Sequence, residues 1–308
     1  MDRRLFLQTT AIAAGGILLA ACEGGGDGAA GLPQPTAPQT LAVQAASFEY
    51  LTGADRWLAF GVNDVQNRPL DAEAAIEVYL RRIPTTPEME ADVLAGPFEA
   101  TFSPAVDTGQ GVYYLQTDLD EPGFVDIVVL SGDDYGSAAV EIVDPADSQV
   151  RPAEEGRPLV PGALAVSAPT PTVQDDRGVF SICTQSPQCG MHEMSLDEAL
   201  TSGRPVALMF ATPQFCQTAV CGPSVLTLDS LRNQGGWGDT IFVHSEIFAE
   251  EPSGTGVAGT PLVEAVEAWG LPTEPWFFTI GSDGMIQDRL DGPMPMPILS
   301  SMLERLAT

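Results

Sequence analysis

Residues 205–223 read Pro205-Val206-Ala207-Leu208-Met209-Phe210-Ala211-Thr212-Pro213-Gln214-Phe215-Cys216-Gln217-Thr218-Ala219-Val220-Cys221-Gly222-Pro223. The apolar run 205–210 is short and β-rich, as a buried strand should be. After it, Val225, Leu228 and Leu231 recur at helical spacing. Two cysteines therefore sit where a strand hands over to a helix. A helix N-terminus offers unpaired N–H groups and the positive end of its dipole, and both favour thiolate over thiol.

The spacing of those cysteines sets where the helix starts. Five positions apart on an ideal helix, their Cα atoms would lie roughly 8.7 Å apart, beyond the ~7 Å that a disulfide spans. If Cys216 and Cys221 pair, Cys216 must lie in a loop before the helix. Pro223 is comfortable only in a first helical turn. Both constraints predict an irregular 216–220 loop and a helix beginning near Cys221.

Outward from this stretch, residues 177–308 alternate strand-like and helix-like patterns. A short strand is expected at 179–182. Ser195-Leu196-Asp197-Glu198 has the form of a capping box opening a short helix, and 240–248 reads as another apolar strand. Thr260-Pro261 marks a helix start. Residues 276–280 and 285–291 form a hairpin, and Pro297 opens a last helix with Ile298, Leu299, Met302, Leu303 and Leu306 on one side. The order is βα βα βα ββα.

With Phe210-Ala211-Thr212-Pro213 leading to Cys216, Pro275 directly before Trp276-Phe277-Phe278-Thr279-Ile280, and Gly284 in the hairpin turn, the segment resembles a thioredoxin-like domain. It is similar to exported thiol-disulfide lipoproteins and distantly to Sco-type copper chaperones. The resemblance implies that Cys216 attacks, Cys221 resolves, and Pro275 is a cis-proline beside them shaping a partner groove. The sequence departs from that family in placing four residues, rather than two or three, between its cysteines.

A second cluster reads Cys183-Thr184-Gln185-Ser186-Pro187-Gln188-Cys189-Gly190-Met191-His192. Pro187 lets the ends of this stretch meet. Four cysteines allow three pairings; the spacing favours Cys183 with Cys189 and Cys216 with Cys221. Both bridges also fit simple structural staples on a non-catalytic surface module. His192 and His244 are the chain's two histidines. The Sco likeness implies a copper alternative using Cys216, Cys221, His244 and His192, since thiolate suits Cu(I) and imidazole suits copper generally. Zinc is weaker, because no C-x-x-C pair is present. Otherwise no cofactor is expected.

The first part of the chain differs in character. Residues 1–22 read as an export signal: Arg3-Arg4-Leu5-Phe6-Leu7 resembles a twin-arginine motif, and Leu19-Ala20-Ala21-Cys22 resembles a lipobox with Cys22 acylated. Residues 23–46 are rich in Gly, Ala and Pro and read as a flexible tether. Residues 47–145 hold about seven β-rich runs divided by turn signals, which predicts an antiparallel sandwich. Gly111-Val112-Tyr113-Tyr114-Leu115 and Pro122-Gly123-Phe124-Val125-Asp126-Ile127 resemble the closing strands of immunoglobulin-like domains on bacterial surfaces. Residues 146–176 carry several prolines and read as an inter-domain linker, partly draped on the next domain.

The expected fold is thus an all-β Ig-like sandwich followed by an α/β thioredoxin-like domain. The chain has 13 basic residues, all arginine, against 42 acidic ones, for a net charge of −29. Such charge excludes nucleic acid as an expected partner. The expected protein is lipid-anchored on the outer face of a bacterial cytoplasmic membrane, where disulfides persist. Its expected partners are extracytoplasmic protein thiols or disulfides, and the membrane through Cys22.

Overall fold

The computed structural model describes residues 32, 37–70, 74–104, 111–152, 156–253 and 256–307. The twin-arginine stretch, Cys22 and most of the expected tether lie outside these residues. Within the tether's last positions, residues 41–45 are already a strand, β1 (Leu41–Ala45), paired antiparallel with β3 (Gly53–Asp64). β3 also pairs with β7 (Gly111–Leu119), and β7 with β6 (Thr101–Pro104), so the first sheet runs β1-β3-β7-β6. The second sheet runs β2-β9-β8-β4-β5, built from β2 (Tyr50–Leu51), β9 (Asp134–Val143), β8 (Gly123–Ser131), β4 (Glu77–Arg82) and β5 (Val93–Glu99).

Alternation explains how these two sheets meet. Leu58, Phe60 and Val62 of β3 face inward, as do Val78 and Leu80 of β4 and Val125, Ile127 and Val129 of β8. The residues alternating with them face outward or towards other elements. Phe60 and Tyr113 stack with centroids 6.3 Å apart in the middle of this core.

The third sheet runs β11-β10-β12-β13, with β10 (Val206–Phe210), β11 (Ile241–Ser245), β12 (Trp276–Ile280) and β13 (Ile286–Asp291). Every residue of β10 and β12 is buried. Period-two alternation sends Val206, Leu208 and Phe210 to one apolar cluster and Ala207 and Met209 to another. The first cluster holds α1 (Leu196–Thr201) and α3 (Glu264–Trp269). The second holds α2 (Cys221–Gln234) and α4 (Met296–Leu306). A strand covered on both faces needs no polar side, which is why β10 reads as an unbroken apolar run.

This architecture corrects the expected fold class. Among the described residues strand outweighs helix, 35% against 16%, over three sheets and four helices, and no α/β thioredoxin-like domain is evident. In the third sheet β10·β11 is the parallel pairing, while β10·β12 and β12·β13 are antiparallel. Residues 179–182 form no strand; Val179 and Phe180 donate single bonds to Asp176 and Ala249. Apolar clusters run across the expected domain boundaries. Ala59 and Tyr114, of the first sheet, belong to the same apolar cluster as α4. Val150, Leu159 and Ala168, from the expected linker, are buried in the cluster of α1 and α3.

A buried charged hub joins the parts. Arg289, on β13, pairs with Glu49 and also reaches Ser148 Oγ at 3.0 Å and the Leu159 carbonyl at 2.9 Å. Its guanidinium lies 5.5 Å from the Trp276 ring centroid. Beside it the Asp291 carboxylate accepts the Phe48 N–H. Burial, foremost, pushes the Asp291 carboxyl up to about 7.

Candidate functional site

Two groups of cysteines meet near the C-terminal ends of β10 and β11. β11 carries His244 one residue before its end, and the chain continues to Glu246. β10 ends at Phe210, and Ala211 begins the loop to α2. The irregular segment 183–192 crosses this edge, fixed where His244 N–H donates to the Met191 carbonyl at 2.9 Å and Gly190 N–H to Asp229 of α2 at 3.1 Å.

Cys183, Cys189, His192 and His244 converge at this crossing. Their ligating atoms all lie within 4.8 Å of one another, so the group could hold a metal ion. Cys183 Sγ stands 3.7 Å from Cys189 Sγ and 3.8 Å from His244 Nδ1. Cys189 Sγ is 3.2 Å from His192 Nε2 and 3.4 Å from His244 Nδ1, and the two imidazole nitrogens are 3.2 Å apart. Cys189, His192 and His244 are 5%, 2% and 1% exposed; Cys183 is half-buried.

The surroundings decide the state of each group. The Ala211 carbonyl lies 3.0 Å from His244 Nε2. A carbonyl only accepts, so it holds the proton on Nε2 and leaves the Nδ1 lone pair facing the sulfurs. Burial opposes a cation on His244, but the sulfur of Cys183 and its charge outweigh this and raise its pKa. Burial depresses His192. The Cys189 thiol donates towards Cys183, pulling the Cys183 pKa down and pushing its own up. Glu246 Oε1 accepts from the Thr184 backbone at 2.5 Å and from the Thr184 hydroxyl at 2.8 Å.

The second pair lies along the neighbouring loop. Gln214 N–H donates to Thr184 Oγ1 at 3.1 Å, tying this loop to the residue after Cys183. Phe215 packs edge-on against Phe180 and Phe248. As the spacing required, 216–220 is irregular and α2 begins at Cys221. Cys216 is half-buried, and its sulfur accepts the Cys221 N–H at 3.3 Å, with Thr218 Oγ1 at 3.4 Å. The Cys221 thiol, foremost, and the Thr218 hydroxyl pull Cys216 down to about 5 against partial burial. Cys221 is fully buried, and burial with the neighbouring Cys216 charge pushes its thiol far up. The Glu274–Pro275 bond is cis. Burial and the charge of Cys216 raise the Glu274 carboxyl to about 7, placing it within electrostatic reach of the pair.

The four cysteines among the described residues are free thiols in this structure. The histidines gather with Cys183 and Cys189, so the ligand set expected for copper, with Cys216 and Cys221, is corrected: those two sulfurs stand outside the four-ligand group. The sequence signal for the observed set was the spacing of Cys183, Cys189 and His192 within ten residues.

No known sequence family and no curated protein matches the chain. Among solved structures it is similar to the M1 domain of titin, at 9% identity and TM-score 0.20, over 35% of this chain and 98% of that one. It is also similar to the Escherichia coli adhesin FdeC, at 16% and 0.22, over 44% and 37%. The ZirS C-terminal domain gives 12% and 0.20, over 46% and 94%. At such TM-scores these likenesses carry no argument about fold or function. Among the described residues, no helix is long and apolar enough to cross a membrane.

Proposed function

We propose that this protein performs thiol–disulfide exchange outside the cytoplasm through Cys216 and Cys221. One observation carries the reading: the half-buried Cys216 sulfur accepts the first N–H of a 14-residue helix while its partner thiol is buried behind it. The Cys216 thiolate attacks a disulfide of a partner protein, breaking its S–S bond and forming a mixed disulfide while one partner thiolate leaves. Cys221 then gives up its proton and attacks Cys216. The mixed disulfide breaks, the partner departs as a dithiol, and two electrons have passed from this protein to it. Glu274, titrating near neutrality beside both sulfurs, accepts the Cys221 proton. Pro275 borders the groove for the partner.

Export and anchoring through Cys22 belong to the same proposal and rest on the Arg3-Arg4 and Leu19-Ala20-Ala21-Cys22 motifs. The test is mixed-disulfide trapping. Cys221→Ala should accumulate adducts at Cys216, and Cys216→Ala should abolish exchange. Exchange at the wild-type rate in Cys216→Ala would overturn the assignment. Palmitate labelling lost in Cys22→Ser checks the anchor.

A second reading, copper delivery, moves to Cys183, Cys189, His192 and His244, whose two sulfurs suit Cu(I). Delivery needs a ligand that a partner can reach, and three of these four are almost fully covered. A Cu(I) competition titration with and without His244→Ala tests it.

A further inference from the structure

We propose that Cys183, Cys189, His192 and His244 form a closed tetrahedral Zn(II) centre that staples the segment 183–192 to the end of β11. This group shares no residue with the Cys216–Cys221 pair. With Zn–S near 2.3 Å and Zn–N near 2.05 Å, a regular tetrahedron has edges of about 3.8 Å for S–S, about 3.6 Å for S–N and about 3.3 Å for N–N. The five separations described above are 3.7 Å for S–S, 3.2, 3.4 and 3.8 Å for S–N, and 3.2 Å for N–N. Pairwise hydrogen bonding would account for any one of these contacts. It gives no reason for four donor atoms from two chain segments to gather with all six separations inside 4.8 Å, the sixth being that between Cys183 and His192.

Charge selects the metal. Two thiolates and two neutral imidazoles neutralise Zn(II), whereas Cu(I) in the same ligands leaves a net negative charge. Uncompensated charge in a covered site is strongly disfavoured. The buried carboxylate of Glu246, two residues past His244, adds to that preference for the more positive ion. Tetrahedral S2N2 geometry also favours zinc, and with all four positions filled by protein the site is structural rather than catalytic. Zn(II) takes both cysteines as thiolates, so Cys189 releases the proton it directs at Cys183.

The outer shell is uneven. The Ala211 carbonyl fixes the His244 tautomer so that Nδ1 binds. The buried His192 Nδ1 has no hydrogen-bond partner, so His192 is the less supported ligand.

The experiment uses the reduced full chain titrated with Co(II), then with Zn(II). Tetrahedral Co(II) with thiolates gives intense visible bands and near-ultraviolet sulfur-to-metal charge transfer, which one equivalent of Zn(II) should abolish. Cys189→Ser and His244→Ala should each weaken Zn(II) binding by more than the ~10–100-fold that losing an outer-shell partner costs, with His192→Ala weakening it less than His244→Ala. Cys216→Ala, which removes exchange under the reading above, should keep the cobalt spectrum. If the ligand variants fail to fold, X-ray absorption of the zinc-loaded wild-type chain decides: two sulfurs near 2.3 Å and two nitrogens near 2.0–2.1 Å are expected. Absence of tetrahedral cobalt bands, a shell that loses sulfur in Cys216→Ala, or stoichiometric Cu(I) without Zn(II) binding would overturn the proposal. Each of those outcomes leaves thiol exchange to stand or fall on its own trapping test.

Discussion

Alkylation of Cys216 between pH 7 and pH 5.5 tests the electrostatics of the α2 N-terminus. The hydrogen bonds to its sulfur lower its pKa from an ordinary 9.0 to about 5. At pH 7 Cys216 is then ~99% thiolate and an ordinary thiol ~1%, a 100-fold advantage. A weaker base is a weaker nucleophile, however. With a Brønsted slope near 0.45, four units cost about 60-fold in intrinsic reactivity. The two effects almost cancel at pH 7, leaving a gain of about 1.6-fold. At pH 5.5 the thiolate advantage grows to about 2,400-fold and the net gain to about 40-fold. Moving from pH 7 to 5.5 should therefore slow Cys216 by only about a quarter, and an unfolded-chain cysteine by about 30-fold. Iodoacetamide rates with mass mapping of each cysteine read this directly. A 30-fold fall at Cys216 would overturn this, because the Cys221 thiol and the Thr218 hydroxyl would then be doing nothing to its sulfur.

Four further outcomes are expected. Glu274, raised to about 7, is mostly protonated where Cys216 titrates, so Glu274→Gln should leave the Cys216 alkylation profile around pH 5 unchanged; a profile moved to lower pH would show that Glu274 is charged there. Arg289→Met leaves Glu49 buried without its partner and should cost about 3–5 kcal/mol in urea unfolding; adding Glu49→Gln should recover part of it, and additive costs would refute the pairing. Asp291, raised from 3.8 to about 7, is held protonated by the fold. The stability it contributes is fully present below pH ~4 and is lost as pH rises through ~7, up to about 4 kcal/mol. Asp291→Asn should therefore flatten the stability–pH curve over that window, and a parallel curve would refute this. Removing metal with a chelator should lower the unfolding temperature of the wild-type chain and leave that of His244→Ala unchanged.

Much of the fold's local grammar is present in the sequence. The fully apolar β10 run, the late start of α2 and the Ile298–Leu306 face of α4 follow from periodicity and from where proline fits. The fold class does not follow, because it depends on long-range partners. The 179–182 run is strand-like in composition, yet Phe180 spends its ring on Phe215 and its N–H on a single carbonyl, so no ladder forms. The Thr260-Pro261 start signal is overruled because Val263 N–H bonds the Ile247 carbonyl and Leu262 bridges Phe248, holding the chain extended until Glu264. The cysteine–histidine group was half legible. Cys183, Cys189 and His192 are neighbours in sequence, but only the parallel pairing of β11 with β10 carries His244, 52 residues on, to meet them.

The burial of β10 sets two very different clocks side by side. Its five amides are laddered on both edges and covered on both faces, so their protons exchange with solvent water only when the whole molecule opens. A few residues later the exposed Gln217, Thr218 and Ala219 lie in irregular chain, and their amides exchange through local opening. Cys216 sits on the boundary, six residues past the slowest strand and directly before the fastest amides.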